Sequence, residues 1–115
     1  MLGLSANLQY HLCCKPVDMR NGFDGLAGIV RNILKQDPIG GSVFIFINRT
    51  CTHIKLLYWD GDGFALFYKR LERGRYARGV DSQKPSRLIT REELMMLLEG
   101  LYFKDMKQKK RFKIS

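Results

Sequence analysis

Leu8–Cys14 alternates, with Tyr10, Leu12 and Cys14 on one side and His11 and Cys13 on the other, and Lys15 and Pro16 close the run, which predicts a short strand. Pro16 also biases Lys15 away from helical geometry. Asp18 then reads as the N-cap of a helix reaching about Gln36, because Phe23, Leu26, Ala27, Val30, Ile33 and Leu34 recur at three- and four-residue spacing. Gly22, Gly25 and Gly28 each cost about 1 kcal/mol in a helix interior, so either another backbone approaches closely there or the helix starts later. Asp37-Pro38 ends the helix and Gly40-Gly41 turns the chain.

Val43–Asn48 and Ile54–Trp59 are rich in β-branched and aromatic residues and flank a polar connection, which predicts a hairpin. Asp60-Gly61-Asp62-Gly63 is a tight-turn signal, and Phe64–Lys69 returns as a further strand with Phe64, Leu66 and Tyr68 facing one way and Ala65, Phe67 and Lys69 the other. Leu71–Ser86 reads as a polar, arginine-rich connection. Thr90 with Glu93 three residues on has the spacing of a capping box, and Leu94, Leu97, Leu98 and Leu101 form the apolar stripe of the helix that follows, up to Gly100 or Leu101. The sum is one α+β domain over residues 1–103: a mostly antiparallel sheet of about four strands packed by two helices, followed by a basic tail over 104–115.

Charge sharpens this picture. Twenty Lys and Arg stand against eleven Asp and Glu, a formal +9, which points to a polyanionic partner. The tail holds Lys104, Lys107, Lys109, Lys110, Arg111 and Lys113 against Asp105, and a second basic stretch runs from Lys69 to Arg91. Tyr58, Tyr68 and Tyr76 are interspersed with these cations and are the aromatic residues expected at the surface, where stacking could accompany phosphate contact. No apolar run approaches the roughly 20 residues of a membrane span, and Met1–Leu12 lacks the features of a secretory leader, so a cytoplasmic protein without a membrane partner is expected.

Candidate chemistry is sparse. Asp18, Asp24, Asp60, Asp62 and Glu99 are the carboxylates that a metal-dependent nuclease would need, but each has a cheaper role in a cap, a turn or a solvated helix face. His11, Cys13, Cys51 and His53 make a formal zinc set at spacings unlike those of zinc knuckles, and three cysteines in a reducing compartment are expected as thiols. No phosphate loop, dinucleotide fingerprint or nucleophile elbow occurs. No cofactor, metal or catalytic residue is therefore expected.

Four blocks carry a family resemblance: Asp18-Met-Arg-Asn-Gly-Phe-Asp-Gly-Leu26, Val43-Phe-Ile-Phe-Ile-Asn-Arg49, Lys55-Leu-Leu-Tyr-Trp-Asp-Gly-Asp-Gly-Phe64 and Leu66-Phe-Tyr-Lys-Arg-Leu-Glu-Arg-Gly-Arg-Tyr76. With Leu94–Gly100 they make most of residues 8–103 resemble TnpB, the second open reading frame product of the sixty-six class of bacterial insertion sequences. Asn21, Tyr76 and the lysine-rich tail depart from that pattern, and His11, Cys13, Cys14, Cys51 and His53 lie outside it. The resemblance implies an accessory part in transposition beside a separate transposase that holds the catalytic acids. On that basis the expectation is a non-catalytic protein that binds DNA, as element ends or nonspecific duplex, and the transposase or other element-encoded proteins. Arg20, Lys69, Arg70, Arg73, Arg75 and Arg78 are the expected DNA contacts, with Lys109, Lys110 and Arg111 of the tail adding salt-sensitive attraction. Arg20 could instead pair with Glu72 or Asp24, and Glu72 could lock one arginine of its own block. An adaptor that holds the transposase without touching DNA, and a metal-dependent nuclease, are the competing readings.

Overall fold

The computed structural model describes residues 7–78 and 83–100. Five strands and two helices follow one another as β1 (Gln9–Cys13), α1 (Phe23–Asn32), β2 (Ser42–Ile47), β3 (His53–Trp59), β4 (Phe64–Arg70), β5 (Ser86–Ile89) and α2 (Arg91–Leu98). They build a single sheet in the order β4-β3-β2-β1-β5. The α+β class is as expected, but the sheet has five strands and is mixed. β1 pairs with β2 in parallel, and the other three ladders are antiparallel. A parallel pair needs a crossover, and α1 with its flanking loops supplies it.

The fifth strand overlaps the expected connection only at Ser86, and Arg87–Ile89 belong to no element expected from the sequence. Ser86–Ile89 is four residues long, follows Pro85 and leaves Leu88 exposed at the sheet edge, so it shows neither the length nor the alternation that marks a strand in sequence. Its partner decides it: Tyr10 pairs with Ile89 and Cys13 with Ser86.

Register sorts the side chains onto two faces. Tyr10, Leu12, Val43, Ile45, Ile47, Ile54 and Leu56 point to one face and bury against Leu94, Leu97 and Leu98 of α2. Cys13, Phe44, Phe46 and Leu57 point to the other and bury against Leu26, Ala27 and Val30 of α1. The three central strands are thus covered on both sides, which explains why β2 reads as an unbroken apolar run. β4 alternates as expected, with Phe67 on the α2 face and Phe64 and Leu66 on the α1 face.

The first helix starts later than the apolar spacing implies. Gly22 is its N-cap and Asp18 does not cap it; Asp18 accepts bonds from the backbone and guanidinium of Arg20, and its carbonyl accepts from the Asn21 amide in a tight turn. A Cβ on Gly25 would collide with Asn21 Oδ1, so this turn folds directly back on the helix start. Leu26, Ala27, Val30 and Leu34 are buried, whereas Phe23 and Ile33 of the same expected stripe are about half exposed. The second helix has the capping box in full: Thr90 Oγ1 accepts from the Glu93 amide at 3.0 Å and Glu93 Oε1 from the Thr90 amide at 2.9 Å.

Candidate nucleic-acid interface at one end of the sheet

The strand directions place the connections at opposite ends. Residues 14–22, the β2–β3 loop 48–52 and the chain leaving β4 all lie where β1 and β2 finish and β3 and β5 begin. Lys15, Arg20, Arg49, Arg70, Arg73, Arg75 and Arg78 are therefore gathered at this end, against Asp18, Glu72 and Glu99. The opposite end holds Asp37, the Asp60–Gly63 turn and the start of α2 with Glu92 and Glu93, balanced partly by Arg31, Lys35 and Arg91. Residues spread from Lys15 to Arg78 thus form one cationic end.

Backbone contacts fix that end. The Val17 amide donates to the Ile47 carbonyl, the Leu71 amide to Thr52 and the Tyr76 amide to Cys51 at 2.7 Å, so both long connections are stitched to the ends of β2 and β3. Asn48 is the hub of the loop between them. Its Oδ1 accepts from the amides of Thr52 and His53, its Nδ2 lies 3.1 Å from His53 Nδ1, and its carbonyl accepts from Arg78 Nη1 at 2.9 Å. Tyr76, expected at the surface, is instead 1% exposed in the core beneath α2, because residues 71–78 lap back over the sheet. Burial pushes its phenol pKa up to about 12.

The candidate cations divide into two kinds. Arg20 is clamped by Asp18, with Nη2 2.8 Å from Oδ2 and Nε 3.1 Å from both carboxylate oxygens, and the pair holds the Asp18 carboxyl down to about 2. Arg70 pairs with Glu72 at 2.7 Å, so Glu72 locks one arginine of its block. Both pairs are exposed and exposed ion pairs contribute little net energy, so a phosphate could compete for either guanidinium. Lys69 Nζ donates to the Leu98 carbonyl at the end of α2, where a cation is favoured, and Arg78 is tied to Asn48. Arg73 and Arg75 are exposed and make no ion pair or side-chain hydrogen bond among the described residues. Lys109, Lys110 and Arg111 lie outside the described residues.

Two contributors were not among the expected contacts. Arg49 reaches this end only because β2 runs parallel to β1, and it lines an open cleft of about 470 Å³ with Pro16, Val17, Asp18, Met19, Asn48 and Thr50. Lys55 is 6% exposed inside β3 and donates from Nζ to the carbonyls of Met19 at 2.7 Å and Asn21 at 2.8 Å. Its ammonium also lies 4.7 Å from the centre of the Tyr68 ring. A buried lysine bonded to two carbonyls is an anchor, and it ties the Asp18–Gly22 turn to the middle of the sheet. A lysine among apolar strand residues is the one sequence signal that could have pointed to it.

The acids are dispersed. Among the described residues no group of three or more His, Cys, Asp and Glu side chains is placed to hold a metal ion. His11 stacks on Phe44 with ring centres 5.2 Å apart, and His53 is engaged by Asn48 and Thr52. No helix among the described residues is long and apolar enough to cross a membrane.

The first and third blocks of the family pattern, joined here through Lys55, lie within a match to the family described as IS66 Orf2 like protein that spans residues 8–108. The chain belongs to that family. Membership ties it to insertion-sequence transposition as an accessory component. Two relatives from Sinorhizobium fredii (strain NBRC 101917 / NGR234) are similar along nearly their whole length. One, Uncharacterized protein y4jC, is 34% identical over 110 residues, covering 95% of this chain and 92% of the relative. The other, Uncharacterized protein y4hO, is 35% identical over 101 residues, covering 88% and 87%. No solved structure matches the chain.

Proposed function

We propose that this IS66 Orf2-like protein is a non-catalytic accessory of transposition that holds DNA at the cationic end of its sheet, while bond breaking belongs to the transposase it accompanies. The observation that carries the reading is the convergence of Arg20, Arg49, Arg70, Arg73 and Arg75 on one exposed end, with the guanidinium groups of Arg73 and Arg75 unengaged among the described residues. Such groups suit phosphate contact, and their spread along one end matches a backbone rather than a single ion. Several acids have a structural part: Asp18 and Glu72 hold arginines, and Glu93 completes a cap.

Mobility-shift titrations of the full chain on element-end and unrelated duplexes over a salt series test this. Binding should weaken steeply with salt, each phosphate contact contributing about 0.9 to the slope of log affinity against log salt. Absence of binding even at low salt, or binding insensitive to salt, would reject the reading.

A further inference from the structure

We infer, resting on the DNA-binding reading, that the cleft between His53, Tyr68 and Arg70 receives an unpaired nucleobase, so that the protein prefers single-stranded or frayed DNA to closed duplex. β4 is an edge strand, and among the described residues no strand lies beyond Tyr68 to cover its ring. The ring is 53% exposed, while Phe44 and Phe46, on the same face of the sheet, are fully buried. An aromatic ring left half in water on an otherwise packed sheet face is available for stacking.

The ring is also held in place. Lys55, its direct cross-strand neighbour, sets an ammonium 4.7 Å from the ring centre, and two backbone carbonyls fix that ammonium. His53 stands beside it with ring centres 5.9 Å apart and planes inclined by 39°, its own Nδ1 within hydrogen-bond distance of Thr52 Oγ1. The cleft these side chains form with Arg70 and Glu72 has a volume of about 400 Å³, room for one planar base. Arg70 at the rim is paired with exposed Glu72, so a phosphate beside the stacked base can compete for its guanidinium. Bases in a duplex have their faces covered by their neighbours; only an unpaired one can offer a face to Tyr68.

Fluorescence anisotropy of the full chain with labelled single-stranded and duplex oligonucleotides of one sequence, at one salt concentration, tests the inference. The single strand should bind more tightly. Tyr68→Ala should weaken single-strand binding roughly ten-fold and duplex binding by less than about two-fold, while Tyr68→Phe should retain single-strand binding. Matching circular dichroism and thermal midpoints would establish that the variants fold alike, and photocrosslinking of the unaltered chain to an iodouracil-substituted strand should mark Tyr68 or His53. Equal affinity for both oligonucleotides, an equal loss for both in Tyr68→Ala, or crosslinks confined to other regions would overturn the inference and leave the duplex-binding reading standing. Binding to neither would overturn both.

Discussion

The two ends of the sheet are made from the same strands and differ in how their connections are held. At the opposite end the β3–β4 turn and the start of α2 are short and locally determined: the Asp60 amide bonds Gly63 across a turn in which Gly61 adopts a φ of +80°, and Thr90 and Glu93 cap α2 within four residues. At the cationic end the two longer connections are held from afar, through Lys55 to Met19 and Asn21, Arg78 to Asn48 and Tyr76 to Cys51. Local chemistry ends elements; long-range anchors assemble a surface. Charge follows the same division in part, with Asp60, Asp62, Glu92 and Glu93 at the opposite end and most of the arginines on the stitched loops.

The strongest way to break this contrast is to reverse charge at each end separately. Arg73→Glu with Arg75→Glu should cut DNA affinity by about thirty-fold and lower the salt slope by about two, whereas Asp60→Lys with Asp62→Lys should leave affinity within about two-fold. Equal effects in the same titration would mean that the polarity of the molecule is irrelevant to binding. Lys55→Met probes the anchors, because it leaves the carbonyls of Met19 and Asn21 without their donor; urea unfolding should show a loss of about 2 kcal/mol. Thr90→Ala, at the locally built end, should lose about 1 kcal/mol in the same assay and leave DNA binding unchanged.

Acidity offers a weaker test, placed between the ends. Burial lowers the His11 pKa below its ordinary 6.5, so the unfolded chain takes up a proton more readily than the folded one. Stability should therefore be complete above about pH 6.5 and decline as pH falls below it, and His11→Leu should flatten that decline in thermal melts. The smallest expected effect is at Asp18: Asp18→Asn releases the Arg20 guanidinium and should raise DNA affinity by no more than about two-fold, since the pair it breaks is exposed.

The same contrast explains what could be read from sequence. β1 and β4 were legible from alternation, β2 and β3 from their β-branched and aromatic runs, and α2 from its capping box, all of them short-range signals. Asp18 has the identity of a helix cap, but Arg20 two residues on captures its carboxylate and the helix begins at Phe23. Tyr76 sits among arginines and glycine and looks exposed, yet its amide bonds Cys51 and its ring enters the core. β5 exists because β1 offers it an edge, and nothing within four residues announces that. The arginines of 69–78 were candidates from sequence, but their union with Arg20 and Arg49 depends on the parallel pairing of β1 with β2.

That pairing also governs the order of assembly during translation. The β2-β3-β4 meander joins neighbours and can zip up as soon as it leaves the ribosome, with little chain entropy to overcome. β1 is made first and sits in the interior of the sheet, so its outer hydrogen-bonding edge stays open until residues 86–89 emerge. A nascent chain stalled short of Ser86 would present Tyr10–Cys13 to any passing strand, and that window is where misassembly of this protein would begin.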